Sequence, residues 1–491
     1  MAQSTRITTT PGAVLLRASA NEFSAMRELV CRRYPDYEWA TFAHFGWRQT
    51  PSELVLTLAR LAPSQPGELD DDVGHVAIRE PYTLRVALDA EHHPLAIGLI
   101  HSHPRHCPPG PSAIDDDMDA YYSKYFAGFA PDRPYVSLIL SELDDGTALS
   151  GRVWWRGAWN RLTHVAVERI RVNAWPGDRL KTGGAEERHK RLAAAFGDEA
   201  TSRLRRSTVA VIGAGGTGSA AIETLARAGV GRLVIVDPDH LERSNLERVH
   251  GSTPVDAEQK TPKPAIAQRH VATIDPACHV DSFIGALPHP AVVDAVITAD
   301  AMIGCTDQQH SRLALSDIAR RFLIPAIDCG VVLEGKNGAV TAQVIQCVRF
   351  LPDDPCPLCR QMIVPEQLAQ ELMDPAERAQ RQAAAAADAV TRGDEGAAYW
   401  RDLPQLNTVG YLTTMAGAMA AGYAIGWITG RFTPPFSRLQ MNLLAPFFDV
   451  TNLEQSAEED CACRRARGWA DQGAADALIS APSHWQTVRQ S

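Results

Sequence analysis

Two histidines one residue apart, His101 and His103, end the apolar run LAIGLI. A Pro/Gly-rich bend follows, then Ser112 and the consecutive aspartates Asp115, Asp116 and Asp117. On a strand, residues i and i+2 point to one face. Both imidazoles could therefore grip one zinc ion, with an aspartate carried round by the bend as third ligand. Three protein ligands leave a fourth position for water, the arrangement of a catalytic zinc. Activated water still needs a proton acceptor and a partner for the oxyanion.

A second kind of chemistry is written in VIGAGGTGS, Val211 to Ser219. Gly213, Gly215 and Gly218 allow a tight turn and a close approach of backbone to a phosphate at a helix N-terminus. Asp237 ends the next apolar run, where a carboxylate can bind a ribose; taken alone this pattern also fits a dinucleotide site. A third group is cysteine: CPLC (Cys356, Cys359) and CAC (Cys461, Cys463). In a long chain whose start carries no secretory pattern, such groups point to metal rather than to disulfides.

These residues need a scaffold. The runs SELVLTLARLA, YVSLILSEL and ALSGRVWWRG read as strands, and GLIHSHP as the end of one. After a polar linker, Pro176 to Lys190, strands and helices alternate. TVAVIGAGGTGSAAIETLARAGVGRLVIVDPD is strand, turn, helix, strand, a unit of a parallel helix-covered sheet. DAMIGCTD and IPAIDCGV read as further strands, which makes Cys329 a core residue, as does the strand around Cys347. Between Arg360 and Trp400 an Ala/Gln/Glu/Arg-rich stretch reads as a surface helix pair or a mobile crossover. The apolar stretch Val409–Gly430, rich in Gly, Ala and Thr, reads as a buried helix rather than a membrane span.

With 491 residues the chain exceeds one ordinary core, so two or three domains are expected. Its 45% hydrophobic and 22% charged content is that of a globular protein, and the net charge of -10 weighs against a nucleic-acid partner. Cytoplasm is the expected location, with no membrane partner.

HSHP followed by PSAID resembles the JAB/JAMM metalloprotease motif. That resemblance implies zinc ligands His101, His103 and Asp115, with Asp116 the alternative to Asp115 because the intervening loop is one residue longer than usual for that family. It also implies Ser112 as the oxyanion and water-orienting hydroxyl. From RRYPDYEWATFAHFG it takes Glu38 as general acid/base.

The glycine loop, DPDHLERSNLERV, KTPKPAIAQR and GCTDQQHSR occur in the order found in ThiF/MoeB and ubiquitin-activating adenylation domains, which they resemble. The resemblance implies ATP and Mg²⁺, with Asp237 on the ribose, Asn245, Arg248 and Lys263 on the phosphates, and Asp307 near the magnesium and the reacting carboxylate. Arg191, in ERHKRL, would reach the nucleotide of the partner subunit in a homodimer. Cys356, Cys359, Cys461 and Cys463 would hold a structural zinc, although the second pair is spaced C-x-C.

The expected architecture is α/β throughout. A JAB/MPN (cytidine-deaminase-like) domain spans 1–176, a linker 177–190, a Rossmann-like ThiF adenylation domain 191–463 and a tail 464–491. The implied function is adenylation of the C-terminal carboxylate of a ubiquitin-like protein ending in glycine, with zinc-dependent cleavage of peptide or isopeptide bonds at that terminus. A conjugating enzyme would be a further partner. The alternative is sulfur-carrier activation with a carrier-processing peptidase. No cysteine lies between Arg360 and Asp460, so a thioester on this chain is not expected; the aligned stretch offers Thr408, and a hydroxyl needs a dedicated base.

Overall fold

The computed structural model describes residues 9–10, 13–70, 76–105, 107, 110–143, 146–167, 170–173, 187–392, 408–444, 449–485 and 488–490. The chain divides into two units. The first comprises Met1–Ala185, Ile318–Ile324 and Arg464–Ala477, and the second Glu186–Asp317, Pro325–Cys463 and Leu478–Ser491.

In the first unit the strand Ala96–Ser102 is buried along its whole length. It lies between Tyr135–Leu143, parallel, and Ala40–Gln49, antiparallel, in a ten-stranded sheet among the described residues. A central strand covered on both faces needs an unbroken apolar run, which is why LAIGLI does not alternate. Phe45, Ile100 and Leu138 face one apolar cluster, while Phe42, Ile97, Leu99 and Phe126 face the other.

Register carries Glu38 towards the histidines. Ala40 pairs with His101, and the Ser102 N–H donates to the Trp39 carbonyl at 3.0 Å. Glu38 precedes this pairing by one residue.

The segment following Cys463 is not a tail. Gly468 accepts from the Thr57 hydroxyl at 2.6 Å, Gln472 accepts from the Trp47 N–H at 2.6 Å, and Asp471 and Arg467 pair with Arg48 and Glu22. Of the linker, residues 177–186 lie outside the described residues, and Glu187–His189 and Lys190–Phe196 are helical.

The second unit is a mixed α/β sheet of Rossmann type. Its parallel strands run in the order His279–Ile284, Arg232–Val236, Thr208–Ile212, Ala301–Gly304, Ala326–Lys336. Ala339–Phe350, Arg438–Asn442 and Asp449–Asn452 extend it antiparallel. Chain order reverses between Thr208–Ile212 and Ala301–Gly304, and in such sheets ligands bind beyond the strand ends at that reversal. The stretch after Arg360 forms the helices Pro365–Leu372 and Pro375–Arg392, and its remainder, 393–400, lies outside the described residues.

The apolar stretch forms the helix Gly410–Thr429, with Leu412, Ala416, Ala420, Ala424 and Trp427 in the core beside the sheet. No helix among the described residues is long and apolar enough to cross a membrane. Its small residues are required by close packing on the helix Gly216–Ala228. A Cβ at Gly417 would lie 2.1 Å from the Thr217 carbonyl oxygen and 2.9 Å from the Ala220 Cβ. Gly417→Leu is expected to destabilise the second unit by about 1–3 kcal/mol through overpacking, seen as a lower unfolding midpoint by circular dichroism.

Candidate functional site

In the first unit His101 ends its strand and His103 lies just beyond it. Ser102, between them, points the opposite way and donates to the Val30 carbonyl at 2.6 Å. The two imidazoles thus share a face, as alternation requires. Their Nε2 atoms are 3.3 Å apart, and Asp115 Oδ1 and Oδ2 lie 3.0 Å from His101 Nε2 and 3.4 Å from His103 Nε2. All three residues are buried. A tetrahedral zinc with bonds of about 2.0–2.1 Å sets its ligand atoms about 3.3–3.4 Å apart, so this donor set fits the ion.

Ser112 caps the helix Ala113–Phe129. Its Oγ accepts from the Asp115 N–H at 3.2 Å, and Asp115 Oδ2 accepts from the Ser112 N–H at 2.6 Å. Ser-x-x-Asp is therefore a capping box that also aims Asp115 at the histidines. Burial raises the Asp115 pKa, but hydrogen bonds from His101, His103 and the Ser112 N–H outweigh it and hold the carboxyl well below its usual range. Of the two aspartates it is Asp115 that meets the histidines, while the Arg152 guanidinium bonds Asp116 and, at 2.6 Å, Asp119. Glu38 is half-buried beside Trp39 and is not drawn into the His–Asp cluster.

A third cluster escaped the sequence reading: His44, Asp89 and His93. The His93 Nδ1 accepts from the Leu95 N–H at 3.2 Å, which leaves the proton on the Nε2 facing Asp89. Arg60 also holds Asp89, at 2.5 Å. Burial lowers the pKa of both histidines, so the fixed charge facing Asp89 comes from Arg60.

In the second unit the glycines do different work. Gly213 has φ +99°, and a Cβ there would strike the Cys305 backbone at 2.7 Å. At Gly218 a Cβ would lie 1.7 Å from the Gly213 carbonyl oxygen. Gly215, the N-cap of the helix Gly216–Ala228, faces open space. Asp237 accepts from the Ala214 N–H at 2.6 Å and the Asp239 N–H at 2.8 Å, which fixes it beneath the loop. Burial, opposed by Lys263 and aided by Asp239, pushes its carboxyl up to about 6.

Lys263 opens its helix and pairs with Asp239 at 2.7 Å. The Arg248 stem passes over Gly216, where an added Cβ would meet its Cδ at 3.2 Å, and its guanidinium donates to the Ser244 carbonyl. Asn245 is held as a local cap by the Glu242 N–H at 3.2 Å. Asp307 lies exposed just past the strand Ala301–Gly304, across the sheet reversal from the glycine loop. The structure thus gathers the loop, Asp237, Arg248, Lys263 and Asp307 at the same sheet end. Arg191 is exposed on its short helix.

The sequence profile of the ThiF family matches residues 188–464, more than half of the chain. The chain belongs to the ThiF family. Among characterised relatives it is similar to the SAMP-activating enzyme E1 of Haloferax volcanii, 35% identical over 165 residues that cover 33% of this chain and 56% of that protein. It is also similar to the sulfur carrier protein ThiS adenylyltransferase of Bacillus subtilis, 31% identical over 134 residues, 27% of this chain and 40% of that protein. The chain thus matches about half or less of the length of these relatives. Among solved structures, Escherichia coli MccB with MccA-N7isoASN aligns at TM-score 0.42 and 15% identity, covering 56% of this chain and 74% of that one.

The ThiF-family region also brings the four cysteines together. Cys356 Sγ lies 3.7 Å from both Cys359 and Cys461, and Cys359 lies 3.7 Å from Cys463. Zinc–sulfur bonds of about 2.3 Å in a tetrahedron set the sulfurs about 3.8 Å apart. The C-x-C spacing is therefore no obstacle to a tetrahedral set. The expected outcome for the purified chain is about two zinc ions by plasma mass spectrometry. One should be lost in Asp115→Ala and the other in Cys356→Ser.

Proposed function

We propose that the second unit catalyses ATP-dependent adenylation of the C-terminal carboxylate of a small ubiquitin-like or sulfur-carrier protein. The observation that carries this reading is the gathering of the glycine loop, Asp237, Arg248, Lys263 and Asp307 at the strand-order reversal of a ThiF-family sheet. The open side of Gly215 lets a phosphate approach the start of the helix Gly216–Ala228, whose dipole and N–H groups favour an anion. Asp237, below the same loop, suits a ribose hydroxyl. Arg248 and Lys263 offset negative charge as the carboxylate attacks the α-phosphate, where charge neutralisation matters more than a base. Asp307 would hold the magnesium ion beside the reacting carboxylate. In the same reading the exposed Arg191 reaches the nucleotide of a partner subunit in a two-fold dimer.

Of the two relatives, one activates SAMP and the other adenylates the sulfur carrier protein ThiS. Sulfur-carrier activation is accordingly the second reading of the same site. It is distinguished by whether the adenylated carrier ends as a thiocarboxylate or joined to an amine.

For the first unit the reading is a zinc-dependent peptidase or isopeptidase acting at the same C-terminus, carried by the His101–His103–Asp115 geometry. When bound, zinc supplies Lewis-acid activation of water and of the scissile carbonyl. Glu38, two residues before the strand that pairs with His101, takes the proton and returns it to the leaving amine. Ser112, whose Oγ accepts from the Asp115 N–H, keeps its hydroxyl proton to donate to the oxyanion.

Two outcomes test these assignments. Incubation with candidate ubiquitin-like proteins, ATP and Mg²⁺ should give carrier-dependent pyrophosphate exchange. Asp307→Ala should reduce it by at least about 100-fold with unchanged circular dichroism; undiminished exchange would refute the role of Asp307. Glu38→Ala should keep its zinc yet lose cleavage of a carrier fusion by about 10²–10⁴-fold. Cleavage at the wild-type rate would refute Glu38 as the base.

A further inference from the structure

A covalent step needs a nucleophile, and the thiols nearest the glycine loop are poor ones. Desolvation lifts the Cys305 thiol well above its usual range, and a hydrogen bond with Cys347 together with burial does the same to Cys329. The thiolate is the reactive form, so neither offers one.

A hydroxyl with a dedicated base lies in the same unit. Thr414 Oγ1 is 3.0 Å from His250 Nε2. The His250 Nδ1 is 2.8 Å from Glu223 Oε2, which also takes His270 Nε2 at 3.1 Å, while Arg227 Nε donates to Glu223 Oε1 at 2.8 Å. Burial raises the Glu223 pKa, but hydrogen bonds from His250, His270 and Arg227 outweigh that and hold it at about 2. An ionised Glu223 accepts a hydrogen bond from the His250 Nδ1–H, which leaves the Nε2 lone pair to accept from the Thr414 hydroxyl. Nucleophile, base and base-orienting carboxylate stand at the distances that define a hydrolytic triad.

The constellation opens on a pocket. Arg248, His250, Tyr411 and Thr414 line a cavity of about 400 Å³. It adjoins the start of the glycine-loop helix: a Cβ on Gly216 would meet Thr413 Oγ1 at 2.8 Å and Arg248 Cδ at 3.2 Å. Thr414 and His250 follow these two residues within two positions along the chain. Arg248 and the N-terminal end of the helix Gly410–Thr429 supply positive potential for a developing oxyanion.

We infer that Thr414, with His250 as base and Glu223 as its positioning residue, takes the acyl group from the acyl-adenylate as an oxygen ester. This rests on the adenylation reading for its natural substrate. The Thr414 oxygen attacks the acyl carbon, the bond from that carbon to the phosphate oxygen breaks, and AMP leaves with the bonding pair. The hydroxyl proton passes to His250 Nε2 and on to solvent. An incoming amine, thiol or water then attacks the ester, loses its proton to His250 and frees Thr414, whose oxygen takes that proton back.

The test uses the full chain and a peptide ending in Gly-Gly as its p-nitrophenyl ester, so that acyl transfer is read without adenylation. Intact mass and peptide mapping should find one acyl group on Thr414, stable to dithiothreitol and released by hydroxylamine. Thr414→Val should abolish the adduct, Thr414→Ser should restore it, and His250→Gln should slow it by about 100-fold or more. Glu223→Gln should lower the maximal acylation rate without changing the half-saturating ester concentration. Acylation of another residue, no adduct on the wild type, or ester hydrolysis with no Thr414 adduct would each overturn the proposal. Pyrophosphate exchange, measured separately, reports on adenylation: its loss with Thr414 acylation intact overturns that reading alone.

Discussion

A methyl group on residue 218 would sit 1.7 Å from the carbonyl oxygen of Gly213. That forbidden volume governs the second unit. The first turn of the helix Gly216–Ala228 lies flat on the end of its own strand because nothing stands between them, and the strand can then lie beside Ala301–Gly304 with its loop against the Cys305 backbone. The apolar helix Gly410–Thr429 repeats the device one layer out, where Gly417 meets the Thr217 carbonyl. Two successive close approaches bring Thr413 and Arg248 to the start of the glycine-loop helix. A larger residue at either contact would push apart the elements that make the crevice.

Charge placement follows a common rule in both units. Each buried or half-buried carboxylate near a site is met by donors that fix its direction. Asp115 is held by imidazoles and the Ser112 N–H, Asp237 by the Ala214 and Asp239 N–H groups, and Glu223 by two histidines and Arg227. The balance differs. Burial wins at Asp237, the most deeply buried of the three and the one with a second carboxylate, Asp239, beside it, and loses at the other two, where several side-chain donors face the carboxylate. The Asp237 carboxyl thus lies nearest to neutral pH.

Much of this was legible in the residues. Spacing of two on a strand set His101 and His103 on one face, and Ser102 turning to Val30 is the complement of that alternation. The glycine loop and Asp237 were legible because local backbone constraints fix them. Asp115 over Asp116 was favoured by the Ser-x-x-Asp spacing; the distant Arg152, which bonds Asp116, could not be read from the sequence. The C-x-C pair looked irregular because spacing along a chain says little about sulfur positions when two segments about a hundred residues apart share the site. His250, Glu223 and Thr414 left no signal at all. They come from three helices or loops whose side chains meet only after the sheet is covered. The segment after Cys463 misled for a related reason: polar and short, it carries no periodicity, and its partners Trp47, Thr57 and Glu22 lie more than 400 residues away.

The composition of the first unit has a consequence for descent. Two of its strands bond residues encoded after the whole ThiF-family region: Thr57 of Glu53–Ala62 donates to Gly468, and Trp47 and Arg48 of Ala40–Gln49 donate to Gln472 and Asp471. A recombination that exchanged only the first 185 residues would bring in a strand edge with no matching cover, and one that replaced the ThiF-family region through to the end of the chain would strip that cover from the resident domain. An exchange that keeps the first unit whole has to carry Arg464–Ala477 together with the first 185 residues.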